Sequence, residues 1–171
     1  MGLIGKKKPV TVLTAPFAEL FADIGNGFGE GTSVAMALGD FDGIKEIEFD
    51  LKPFKGAKAL RFDPLNGYAV IKLKRVELWT ADGKVIRARD CATNGFEENG
   101  ALFFLTDDPQ IHLNMDPRLK DVVKAVFRVE YVATGKEATR RCRGTLVEKD
   151  GVPFGVLSVA SRLLSFIKRR I

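Results

Sequence analysis

A chain of 171 residues, 46% of them hydrophobic, is long enough to bury one domain core and too apolar to stay disordered. Its formal charge of +5 sits at the ends. Lys6, Lys7, Lys8, Arg162, Lys168, Arg169 and Arg170 have no acidic neighbour before Glu19 or after Asp150, and without these seven the 27 basic residues fall to 20 against 22 acidic. Such a body lacks the clustered basic surface that nucleic acid requires. No run of about 20 apolar residues exists to span a membrane. The start lacks the apolar stretch of a secretory signal, and Lys6 stands where a myristoylation signal has Ser or Thr. The expected location is cytoplasmic, extending to the inner face of the membrane. One His and two distant cysteines, Cys91 and Cys142, do not make a zinc site, and without a secretory signal both thiols are expected reduced.

Residues 1–9 form a basic lead-in. Residues 10–153 carry the pattern of a β-sandwich domain. Val10 to Ala15 and Ala18 to Asp23 are short β-prone runs, and in the second Leu20 and Phe21 leave the inward face ambiguous. Gly25, Gly27, Gly29 and Gly31 make a loop. It has neither the Lys-Ser/Thr ending of a P-loop nor a helix pattern behind it, so no nucleotide fingerprint fits. Ser33 to Leu38 is a further strand. Ile47, Phe49 and Leu51 alternate with Glu46, Glu48 and Asp50, which predicts a half-buried strand with an acidic outer face. Lys58 to Asp63 is extended, Pro64 ends it, and Asn66-Gly67 turns the chain. Tyr68 to Thr80 is β-prone, but its apolar phase flips between Leu73 and Val76, which predicts a bulge. Residues 81–84 make a hairpin turn into Val85 to Arg89.

Ala92 to Gly100 reads as a loop, and Leu102 to Leu105 as a strand covered on both faces. Ile111, Leu113 and Met115 alternate with Gln110, His112 and Asn114. Then Val123, Ala125, Phe127, Val129, Tyr131 and Ala133 point inward, while Lys124, Arg128 and Glu130 point out. Lys149 to Gly151 closes a last pair of extended runs. In Val156 to Ile171 the polar Ser158, Ser161, Arg162, Ser165, Lys168 and Arg169 share one helical face, so residues 154–171 read as an amphipathic helix that joins a further domain. About ten strands and no strand–helix alternation predict an all-β chain: an antiparallel β-sandwich or jelly roll with a C-terminal amphipathic helix.

Three clusters carry chemistry. Asp23, Asn26, Phe28 and Glu30 surround the glycine loop, where polar groups beside a ring suit a small ligand. The alternative is a tight loop with Phe28 as a plug and a carboxylate capping backbone amides. Arg61, Asp63 and Asn66 stand at a strand end. They are a ligand-contacting rim, or Arg61 is a partly buried fork held by Asp63. Asp107, Asp108 and Gln110 flank Pro109, and the two carboxylates could join Asp63 or Asp23 around calcium, although no Asp-x-Asp-x-Asp loop is present. His112 has no orienting partner for general-base work. Glu46, Glu48 and Asp50 share a solvated face instead of opposing one another across a cleft. No catalytic residue and no resident metal emerges.

Three stretches, Leu20 to Glu30, Lys58 to Leu65 and Phe104 to Ile111, come in an order that resembles an accessory β-sandwich module of bacterial surface-polysaccharide glycosyltransferase and methyltransferase proteins. The similarity covers roughly residues 18 to 133. It implies a non-enzymatic, carbohydrate-binding-like module with no cofactor. It also implies a glycan or polysaccharide and a glycosyltransferase domain as partners; the candidate sugar contacts, Asp23 to Glu30, Arg61 to Asn66 and Asp107 to Gln110, come from the residue chemistry above and not from the resemblance. The competing class is a structural or oligomerisation scaffold that touches no sugar. The C-terminal helix would then serve self-association or peripheral membrane contact. Glycan binding predicts exposed rings among Phe28, Tyr68 and Trp79; a scaffold predicts them buried.

Overall fold

Alternation of apolar and charged residues sets the register of two antiparallel sheets. The computed structural model describes residues 15–41, 43–88, 91–115 and 121–150. The first sheet has the order β2-β1-β4-β10-β7, built from β1 (Phe17–Asp23), β2 (Ser33–Ala37), β4 (Ala59–Asp63), β7 (Cys91–Thr93) and β10 (Ile111–Asn114). The second has the order β3-β11-β5-β9-β8, from β3 (Ile44–Asp50), β5 (Ala69–Thr80), β8 (Phe96–Glu98), β9 (Ala101–Phe103) and β11 (Val122–Thr134). The short β6 (Val85–Arg87) pairs with the far end of β5. Among the described residues the architecture is an all-β antiparallel sandwich with one α-helix, α1 (Gly135–Asp150), following β11.

The core lies between the sheets. Phe62 from the first sheet stacks on Phe127 from the second, centroids 3.9 Å apart, and Phe49 meets both edge-on. Leu20, Leu60, Ile111 and Leu113 line one wall; Ile47, Ile71, Leu78, Ala125 and Val129 line the other. The Tyr131 hydroxyl crosses the sandwich and donates to the Pro64 carbonyl at 2.6 Å.

The bulge expected in the long strand is present: Arg128 pairs with Arg75 and Val129 with Leu73, so Lys74 is the extra residue. A second bulge overturns one inward assignment. Val122 pairs with Thr80 and Lys124 with Trp79, so Val123 is the unpaired residue and Val122 is buried in its place. The expected acidic face of β3 is also there. Glu46, Glu48 and Asp50 are exposed while Ile47 and Phe49 are buried, and Lys124 reaches Glu48 at 3.2 Å.

Two further expectations need correction. The stretch read as a loop at Ala92 to Gly100 contains parts of β7 and all of β8, whose hairpin to β9 turns through Asn99 and Gly100, both at positive φ. Three-residue strands are too short to show a period. The extended runs expected before Gly151 are instead α1, so a helix precedes the C-terminal one read from sequence. Ala138 and Cys142, one turn apart, are its buried contacts, packing with Val70, Ala101 and Ala133 and against Tyr68, Phe103 and Leu105. Phe103 thus faces α1 while Leu102 packs on the main core, so β9 is covered on both sides as expected. No disulfide joins Cys91 to Cys142. The strand expected at Val10 to Ala15 falls on residues 10–14, outside the described residues, up to its last position. The same holds for the lead-in, the boundary at 153/154 and the Val156 to Ile171 helix. Among the described residues no helix is long and apolar enough to cross a membrane.

Candidate functional site

Antiparallel register assembles the outer face of the first sheet. Phe21 on β1 stands opposite Arg61 on β4, which stands opposite His112 on β10. One step along, Glu19 stands opposite Asp63. Side chains alternate, and Leu20, Phe62 and Ile111 point to the core, so this row faces away from it. The inward face left open for β1 is resolved in favour of Leu20.

Arg61 organises the row. Its Nε and Nη2 donate to the two oxygens of Asp63 at 3.0 and 2.8 Å. Its guanidinium carbon lies 4.0 Å above the Phe21 ring and 5.7 Å from the Phe28 ring. Phe28 comes from the glycine loop, which folds back over the sheet, and meets the His112 ring edge-on at 5.7 Å. Arg61 is therefore held by a carboxylate fork and two rings, the arrangement a half-buried guanidinium needs. His112 Nε2 lies 3.3 Å from Gln110 Oε1, and Gln110 Nε2 donates to Asp108 Oδ2 at 2.7 Å. Burial, and then the charge of Arg61, hold the His112 imidazole below its ordinary pKa.

Beside this row runs a groove of about 230 Å³. Arg61, Asp63, Asn66, Asp107 and Asp108 line it, together with Glu19 and the apolar Phe17, Phe21 and Leu65. Burial pushes the Asp63 carboxyl up to about 6 against the pull of Arg61, and the charges of Asp108 and Glu19 add to the rise. Asp107 and Asp108 are exposed at the groove mouth. Asn66 also ties down the chain entry: Phe17 N–H donates to its Oδ1 at 3.0 Å, and its Nδ2 donates to the Ala15 carbonyl at 3.4 Å.

Half of the ten residues singled out from sequence thus meet in the groove, and Gln110 is bonded to one of them. Asp23, Asn26 and Glu30 do not join. Asp23 lies four residues from Glu19 on the same strand, about 13 Å away, and its Oδ1 accepts from Gly25 N–H at 2.7 Å and Gly27 N–H at 2.9 Å. Those amides, Gly25 first, hold its carboxyl below the ordinary range. The capping account of the glycine loop is therefore correct for Asp23, and a single rim running from Asp23 to Gln110 is not. Asp63, Asp107 and Asp108 share the groove, whereas Asp23 is not among its lining residues, so the calcium arrangement that draws on Asp23 is not assembled. Among the described residues no three His, Cys, Asp or Glu side chains converge as metal ligands.

The rings are partly covered. Phe28 leans on Arg61 and His112, and Tyr68 packs toward α1. Trp79 lies on the outer face of the second sheet under the Lys124 ammonium at 4.4 Å, its Nε1 buried with no hydrogen-bond partner in the protein. None of the three is an exposed stacking platform. Glu19, Phe17 and Phe21 were missed from sequence. The available signal was Arg61 itself, since a strand arginine calls for partners across the strand as well as along it.

The chain matches no protein-family model, no curated protein and no solved structure. Chemistry must therefore be read from the groove alone. Carboxylates and an amide above apolar walls accept hydrogen bonds from hydroxyls or amines and repel anions.

Proposed function

We propose that the domain is a non-catalytic, carbohydrate-binding-like module that holds a glycan for a glycosyltransferase or methyltransferase of surface-polysaccharide synthesis. The observation that carries this reading is the groove of about 230 Å³, where Asp63, Asn66, Asp107 and Asp108 gather over Phe17, Phe21 and Leu65. Its acidic lining favours a neutral or amino-bearing sugar over an acidic one. Arg61 serves as a positioning residue: two of its nitrogens are committed to Asp63. The carboxylates Glu46 and Glu48 are paired with Arg75 and Lys124 on the opposite sheet, which speaks against a hydrolytic pair there.

A second reading, a scaffold domain with no sugar, draws on the covered state of Phe28, Tyr68 and Trp79. An amide chemical-shift titration against neutral, amino-bearing and acidic oligosaccharides separates the two. Saturable shifts at Glu19, Asp63, Asn66, Asp107 and Asp108 with the first two classes, lost in the Asp107→Ala/Asp108→Ala variant, support glycan binding. Flat spectra with every sugar, or shifts that survive the double substitution, sink it and favour the scaffold.

A further inference from the structure

A sheet edge offers unpaired backbone groups to any strand that can match them, and proteins blunt such edges with charge or brevity. Among the described residues β2 and β7 end the first sheet, and β3 and β8 end the second. β3 carries Lys45, Glu46, Glu48 and Asp50, while β6, β7 and β8 have three residues each. β2 has neither protection. It is five residues long, and no charge stands between Glu30, in the preceding 3-10 turn, and Asp40, in the following loop. Ala35, Met36 and Ala37 are exposed, Met36 by 40%.

The register shows which backbone groups of β2 are free. Leu38 N–H donates to the Pro16 carbonyl at 3.0 Å, which continues the ladder pairing Phe17 with Ala37 and Glu19 with Ala35. Bonded pairs alternate with non-bonded ones along an antiparallel ladder. Val34 and Met36 therefore bond to β1, and the N–H and C=O of Ser33, Ala35 and Ala37 point away from it. The side chains of these three share the outer face with Phe17, Glu19 and Phe21, while Val34 packs on the core.

We propose that β2 pairs with β2 of a second copy of this chain, antiparallel about a two-fold axis at Ala35. The free residues are symmetric about that point. Ala35 meets the partner's Ala35 and Ser33 meets the partner's Ala37, each as a bonded pair, so every free amide finds a carbonyl. The same register sets the exposed Met36 opposite the partner's Val34, at the closer spacing of a non-bonded pair. Any extended segment could meet the backbone groups; the second copy matches them and the side chains position for position. The two Glu19 side chains stand in the same row, three strand spacings or about 14 Å apart. That exceeds the Debye length of about 8 Å at physiological salt, so their repulsion is screened. The two five-stranded sheets become one continuous sheet. The pairing stands independently of sugar binding. If the glycan reading holds, both grooves open on one face of that sheet, side by side before a repeating polymer.

The test is sedimentation velocity of the full chain over a range of concentrations, with amide hydrogen exchange on the same samples. The mass should rise with concentration toward twice 18.8 kDa. The amides of Ser33, Ala35 and Ala37 should gain protection in step, while those of Val34 and Met36 are protected throughout. Ala35→Pro removes an outward N–H and leaves the ladder to β1 intact. The two-fold axis doubles that loss to two hydrogen bonds, each worth about five-fold in association, so dimerisation should weaken about thirty-fold with far-ultraviolet circular dichroism unchanged. Ala35→Lys sets two ammonium groups opposite each other and should weaken it as well; Val85→Lys, on β6, should not. A single-chain mass at every concentration into the millimolar range, association without protection at Ser33, Ala35 and Ala37, or association that survives both Ala35 variants would each overturn it.

Discussion

Asp63→Asn should remove a pH dependence of stability whose sign is opposite to that of an ordinary ion-paired carboxylate. Asp63 is 9% exposed and its carboxyl is pushed up to about 6 from its ordinary 3.8, by burial first and then by Asp108 and Glu19, with Arg61 opposing. Between those two values the native protein holds a proton that the unfolded chain has lost. The unfolded state therefore binds fewer protons, and stability falls as pH rises through this window. At about 1.36 kcal/mol per pH unit the fall is about 3 kcal/mol between pH 4 and pH 7. Asp82 and Glu137, both held down to about 2 by their cationic partners, act the other way: their contribution is present above the unfolded value and is lost on acidification. Both groups are common to wild type and variant, so the difference between the two proteins isolates Asp63. Urea unfolding followed by Trp79 fluorescence, from pH 4 to pH 8, gives that difference. Relative to the variant, the wild type should lose about 3 kcal/mol across the range. A difference that stays flat, or that rises with pH, would mean that the Arg61 fork outweighs desolvation, and the account of the buried carboxylate would be wrong.

Three other outcomes follow from packing. Phe62→Ala removes the ring stacked on Phe127 and touching Phe49, and should cost about 3–5 kcal/mol in denaturant unfolding. Gly95→Ala would set a Cβ 2.6 Å from the Phe103 carbonyl oxygen and 2.9 Å from the Phe104 ring; calorimetry should register a loss of about 1–3 kcal/mol. Cys142 donates to the Phe104 carbonyl at 3.3 Å, and burial pushes its thiol up to about 11. Mass spectrometry should therefore find the Cys142 peptide unalkylated by iodoacetamide at pH 8 in the native protein and modified once urea unfolds it.

The fold was legible wherever one face of a strand is buried over many residues. The alternation in β3 and most of β11 runs long enough to write its face into the sequence, and the phase flip in β5 located the Lys74 bulge. It failed where the buried stripe is small or brief. Among the described side chains of α1 the buried ones are Ala138 and Cys142, set among Arg, Lys, Thr and Gly, and the helix begins at Gly135 directly after Thr134 with no linker to announce it. The same distinction governs the site. Arg61 and Asp63 are two apart on one strand, so their fork could be read locally. Glu19 and Phe21 belong to the site only because β1 pairs with β4 in one register; shifted by a single residue, Leu20 and Ala22 would face the groove. Asp23 left the site for the same reason. Its side chain shares the outer face with Glu19, but the register sets it opposite Ala59 while Asp63 stands at the other end of β4. What binds in the groove is thus decided by cross-strand pairing, and that information is distributed over β1, β4 and β10, not carried by any one motif.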